Sequence, residues 1–273
     1  MKVRALHIVR VLLALLFFAG VGFILHFSSE ERASKVCTGI SVEFSDSLKF
    51  VSQDDIKNYI SSNYGAVTGQ RLDSVKLDML ERLLESKSAI LDSQAWTGED
   101  GVLHITLSQR APELRFSNGE SGYYIDRNGY VFPLHKSYTA DVPVIYGNVP
   151  KMPAKSYKGP APDELDRQWF TDMLAFKEFV SRRKRGGFQL DSIWVTGKGD
   201  LMFTLEGKPE KFVFGDLDDF GEKFAKIDDF YAYIKPEKPD TEYKVVNLKY
   251  KKQIICRQKD IQRPRILARP RWP

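Results

Sequence analysis

Ser181-Arg182-Arg183-Lys184 sets a serine three residues before a lysine, the spacing at which an amine can take the proton of a nucleophilic hydroxyl during acyl transfer. About one such match is expected by chance in an ordinary chain, and no Ser-x-Asn or Lys-Thr-Gly companion follows it. The serine also closes a helical pattern. Arg182, Arg183, Lys184 and Arg185 complement a helix C-terminus ahead of Gly186-Gly187. The pattern therefore predicts a helix end rather than a nucleophile.

Other reactive side chains are scattered. His7, His26, His104 and His135 show no metal-ligand spacing, and Cys37 and Cys256 are too far apart for a zinc knuckle or a CxxC pair. A disulfide between them would need their Cβ atoms within bonding geometry, although one lies in the first expected strand and the other in the last. Gly197-Lys198-Gly199 lacks the third glycine and following helix of a dinucleotide site, so it reads as a turn. Asp54-Asp55, Asp218-Asp219 and Asp228-Asp229 are adjacent on or near helices, where neighbours point in different directions. No catalytic residue, cofactor or metal is expected.

The elements around these residues divide the chain. Its 273 residues are 42% apolar and 28% charged, ordinary globular usage that excludes collagen-like, low-complexity and polytopic membrane classes. The net charge of +5 equals the excess carried from Arg257 to the C-terminus, so the remainder is neutral and no basic nucleic-acid face is implied. Val11 to Leu25 is uncharged, and the apolar stretch Ile8 to Phe27 reaches roughly 30 Å as a helix, the hydrocarbon thickness. Phe27-Ser28-Ser29-Glu30 lacks the small residues of a cleavage site, which favours an uncleaved anchor over a signal peptide. Lys2, Arg4 and Arg10 precede the stretch, and Glu30 and Glu31 follow it. The expectation is a single transmembrane helix over 8–27, with residues 1–7 cytoplasmic and the rest periplasmic at the inner membrane.

Beyond it, Val36 to Phe44 reads as a strand. Ser52 caps a helix with Asp54 and Asp55 in its first turn, and a second helix runs from about Ser74 to Glu85. The strands Ile90 to Trp96 and Val102 to Leu107 complete β-α-α-β-β. Past Pro112, Gly122 to Ile125 and Tyr130 to Phe132 flank Asp126-Arg127-Asn128-Gly129, where Asn128 and Gly129 suit the positive φ of a hairpin. Val142 to Tyr146, a helix from Asp163 to Arg183, and the strands Leu190 to Val195, Leu201 to Leu205 and Lys211 to Phe214 follow. A helix from Asp218 to about Tyr233 precedes a final hairpin, Tyr243 to Tyr250 with Gln253 to Arg257. No later segment has the strand character to cover its outer edge. The Arg- and Pro-rich end, 258–273, reads as a disordered tail.

Leu103 to Pro112, ending in Gln109-Arg110-Ala111-Pro112, resembles the strand that closes the POTRA domain of the FtsQ/DivIB family of bacterial division proteins. Tyr124-Ile125-Asp126-Arg127-Asn128-Gly129-Tyr130-Val131-Phe132 is similar to that family's next hairpin. Val142 to Gly147 and Asn247-Leu248-Lys249-Tyr250 match in order. The resemblance implies an α+β chain: a single N-terminal transmembrane helix, a POTRA domain over 36–111, and a mostly antiparallel β domain with flanking helices over 112–257. It implies a non-enzymatic, bitopic divisome scaffold at the septum. Its partners would be the coiled-coil subunit FtsB, acting with FtsL, and other divisome proteins. The partner-binding region carries over to Tyr250, Lys252, Gln253, Ile254, Ile255 and Cys256. The alternatives are a POTRA-bearing envelope assembly or secretion adaptor, and an envelope hydrolase or transpeptidase working through Ser181.

Overall fold

The computed structural model describes residues 13–22, 35–118, 121–183, 187–237 and 242–258. The chain divides into two compact units, Met1–Arg110 and Ala111–Pro273.

The membrane-spanning helix expected over 8–27 is corrected. Residues 13–22 form a helix, α1, and among the described residues no helix is long and apolar enough to cross a membrane. At about 1.5 Å per residue, α1 covers roughly half of the ~30 Å hydrocarbon layer. The remainder of 8–27 lies outside the described residues, as does 258–273 after Gln258. The single-pass inner-membrane location, with a cytoplasmic N-terminus and a periplasmic ectodomain, rested on that helix and falls with it.

In the first unit, β1 (Gly39–Phe44), α2 (Gln53–Asn63), α3 (Leu77–Glu85), β2 (Ile90–Thr97) and β3 (Val102–Gln109) give β-α-α-β-β. The sheet order is β1-β3-β2, with β1 parallel and β2 antiparallel to β3. Ser52 and Asp55 form a reciprocal capping box: the serine Oγ accepts from the Asp55 N–H at 3.1 Å, and the Asp55 carboxylate accepts from the Ser52 N–H at 2.9 Å. Ile56 and Ile60 of α2 and Leu80 and Leu84 of α3 are buried, as are alternate β3 residues Leu103, Ile105 and Leu107. Gln109, the glutamine of the strand-ending signature, is buried and fully engaged. Its Nε2 donates to Asp46 Oδ1 at 2.9 Å and to the Leu48 carbonyl at 2.6 Å, while its Oε1 accepts from the Val51 N–H at 3.1 Å. The signature there has a structural cause: the amide fastens the 45–51 loop to the end of β3.

In the second unit, ten strands make one sheet: β4 (Pro112–Asn118), β5 (Ser121–Asp126), β6 (Tyr130–Pro133), β7 (Val144–Gly147), β8 (Gly159–Pro160), β9 (Leu190–Val195), β10 (Leu201–Leu205), β11 (Lys211–Gly215), β12 (Tyr243–Asn247) and β13 (Ile255–Gln258). Their order is β13-β12-β11-β10-β9-β7-β4-β5-β6-β8. The pairs β4–β7, β7–β9 and β11–β12 are parallel and the other neighbours antiparallel. Strand β4 is absent from the expected elements, although Leu114 and Phe116 alternate with Glu113, Arg115 and Ser117.

The β5–β6 turn differs in one detail. Gly129 alone takes positive φ, at 72°, while Asp126 Oδ1 accepts from the Asn128 and Tyr130 N–H groups at 2.8 and 3.0 Å. At the end of β7, Gly147 has φ 95°, and a Cβ there would stand 2.2 Å from the Val195 carbonyl oxygen. Only glycine lets β7 lie this close to β9.

Helix α4 (Glu164–Arg182), capped by Asp163, buries Phe170, Met173, Phe176 and Val180. Helix α5 (Phe220–Asp229) adds Phe224 and Ile227. These join Phe116, Ile145, Ile193, Phe203, Phe212, Phe214 and Val246 in one core. Each such side chain contributes about 1.5–3 kcal/mol by leaving water. α5 runs on into a π turn, Phe230–Ile234, and a last short turn, α6 (Lys235–Glu237). Buried Glu210, just before β11, holds that turn by accepting from Lys235 Nζ at 2.6 Å and Tyr231 Oη at 2.8 Å.

Candidate functional site

Alternation along β12 and β13 decides which side chains reach solvent. Asn247 pairs with Ile255, Val246 with Cys256 and Val245 with Arg257. Val246 lies in the core, so Cys256 on the same row is half-buried against it, as is Ile254. Burial pushes the Cys256 thiol up from its ordinary value. Ile255 points the other way and is 49% exposed. Both Cys37 and Cys256 are free thiols.

The β12–β13 connection is fixed from below. Strand β12 stops at Asn247 instead of continuing to Tyr250, because the chain turns to meet Lys226 of α5. That ammonium is nearly buried and donates to the carbonyls of Leu248 at 3.2 Å and Tyr250 at 2.8 Å; Glu222 lies 3.3 Å away. Lys249 reaches Asp200 at 2.6 Å, and its own N–H donates to Asn247 Oδ1 at 3.0 Å. Lys252 adopts φ 58°, the left-handed conformation that completes the turn. The Gln253 N–H faces the Tyr250 carbonyl at 3.4 Å.

The six candidate residues thus occupy one hairpin. Tyr250, Lys252, Gln253 and Ile255 are exposed, while Ile254 and Cys256 turn inward. Strand β13 terminates the sheet, and among the described residues no strand pairs with its outer side. The free N–H and C=O groups of such an edge, framed by Lys251, Lys252 and Arg257, suit an added strand with acidic flanks. Lys226 escaped the sequence reading because it is 24 positions from Tyr250 and sits in an ordinary amphipathic helix.

The other candidates resolve into structural roles. Ser181 Oγ donates to the Glu178 carbonyl at 2.9 Å, and Lys184 lies outside the described residues. His104 stacks on Trp96 with centroids 4.1 Å apart and meets Asp100 at 2.8 Å, a contact that, after the Val102 N–H, lowers the Asp100 carboxyl below its ordinary value. Asp55 belongs to the capping box, Asp228 pairs with Arg183, and Asp219 precedes α5 with φ 50°. Among the described residues no three His, Cys, Asp or Glu side chains come together as a metal set.

The POTRA-like domain family matches residues 35–108, and the family described as FtsQ/DivIB, C-terminal related, matches residues 111–257. No curated protein matches the chain significantly. The two domains together are those of a divisome-type scaffold, and the FtsQ/DivIB family is generally non-enzymatic. With a match that covers more than half its length and every strand of the ten-stranded sheet up to Arg257, the chain belongs to the FtsQ/DivIB family.

Proposed function

We propose that this chain is a non-enzymatic scaffold of the bacterial divisome, acting at the division site, that captures FtsB, and FtsL with it, by adding a partner strand to β13. The carrying observation is the position of β13 as the last strand of the sheet, with its outer backbone edge unpaired among the described residues. Exposed Tyr250, Lys252, Gln253 and Ile255 offer side-chain contacts beside that ladder, and Ile254 and Cys256 hold the strand to the core. In this reading residues 36–111 act as a POTRA module and 112–257 as the β domain that carries the capture edge.

Backbone N–H groups point alternately to the two sides of a strand, so of Ile255 and Cys256 one donates inward and the other outward. Ile255→Pro and Cys256→Pro, tested together, separate the edge from the fold. One variant should keep the wild-type circular dichroism spectrum and lose FtsB–FtsL capture in a pull-down. Wild-type capture by both folded variants would place the partner elsewhere.

A further inference from the structure

In the second unit the start of β7 lies between the middle of β4 and that of β9, all three running the same way. Arg115 stands there on β4, opposite Val144 on one neighbour and Tyr124 on the other. Its Nε is shut off from solvent and has no hydrogen-bond partner within the protein. The residue as a whole is only half-buried and lines a cavity, and a guanidinium is the group best shaped to take a carboxylate, through two parallel N–H···O bonds.

The side chain faces a cavity of about 660 Å³, lined also by Val144, Lys177, Ser181, Leu190 and Asp191. That volume lies within the range of small-ligand sites, about 300–1,000 Å³. The charges around it narrow the ligand. Lys177 is already paired with Glu113, which leaves Arg115 as the unspent cation. Asp191 is held in place by Thr204 Oγ1 at 2.9 Å and Ser192 Oγ at 3.3 Å, and Asp141 and Glu206 also line the cavity. Three carboxylates repel a polyanion such as a phosphorylated ligand, but they complement a molecule that carries an ammonium apart from its carboxylate. Val142, Pro143 and Val144 supply apolar contact within the same cavity.

We propose that this cleft binds a short extended peptide, with Arg115 receiving its free carboxylate and the carboxylates of Asp141, Asp191 and Glu206 receiving its cationic group. The site shares no residue with the β12–β13 hairpin, so it stands or falls independently of the capture reading.

The test uses the full chain with three probes: the tripeptide lysyl-alanyl-alanine, its C-terminal amide, and inorganic phosphate. Calorimetry reads affinity, and amide NMR locates the contact. The free acid should bind and shift the amides of Arg115 and Val144. The C-terminal amide should bind at least about tenfold more weakly, R115Q should lose a comparable factor, and phosphate should not compete. Equal binding of acid and amide, undiminished binding by a folded R115Q, displacement by phosphate, or no binding of the acid would each overturn the proposal. Should R115Q fail to fold, the comparison of acid with amide on the unaltered chain decides.

Discussion

The Lys226 ammonium on α5 donates to the Tyr250 carbonyl at 2.8 Å, joining a helix to the turn before the last strand. With the second bond to Leu248, one nearly buried cation satisfies two carbonyls of the β12–β13 connection, which lie beyond the end of β12. Lys226→Met removes both bonds and keeps the stem's volume. The expected loss is about 1.5–3 kcal/mol, the worth of bonds to a charged group. Urea unfolding measures it, and hydrogen exchange should show residues 245–257 opening before the rest of the sheet.

Ile255 is half exposed and outside the core, so Ile255→Ala should change stability by no more than about 0.5 kcal/mol. Partner capture should weaken by about tenfold, as for an interface residue worth more than ~1 kcal/mol. Thermal melts and a quantitative pull-down on one preparation read both effects. Unaltered capture would remove Ile255 from the contact.

Gly147→Ala tests the approach of β7 to β9. Its positive φ alone costs a non-glycine residue about 1–3 kcal/mol. The new methyl would also press on the Val195 carbonyl, so the parallel pair must separate. Chemical denaturation should show a loss at the top of that range or beyond, with the adjacent Tyr146–Trp194 stack reporting the separation by fluorescence.

The Tyr231 hydroxyl has its pKa raised above the ordinary phenol range, first by burial, then by its bond to Glu210 and by the charge of that carboxylate. A folded value above the unfolded one means that this contribution is complete below about pH 10 and disappears as pH climbs beyond it. Tyr231→Phe removes the bond to Glu210 and, because the phenol is partly exposed, should cost about 0.5–1.5 kcal/mol near neutrality. It should also flatten the alkaline limb of the stability curve, read from midpoints of unfolding between neutral and strongly alkaline pH.

Much of this architecture was legible because local chemistry and global fold agree. Ser52 and Asp55 announce a helix start and form one, and Ser181 closes α4 as its basic neighbours suggest. Strand β4 was missed where two signals conflict: Pro112 reads as a terminator, whereas a bulge between Pro112 and Leu114 lets the strand begin there. The π turn after α5 was also illegible, since buried Glu210 stabilises it from 20 and more positions upstream. For the candidate edge, the six hairpin residues are contiguous and could be read together, but the lysine that shapes their turn could not. Hydropathy alone misjudged the N-terminal stretch, of which the described helix covers only residues 13–22.

The two ends of the large sheet are unequal. β13 offers four residues of strand, whereas β8 at the far end is Gly159–Pro160, two residues of which one has no N–H to give. A strand docking on this sheet finds a foothold on one flank only. On the proposed capture, an added strand therefore joins the sheet from the β13 flank, and the two edges are too unequal for copies of this chain to pair β13 against β8.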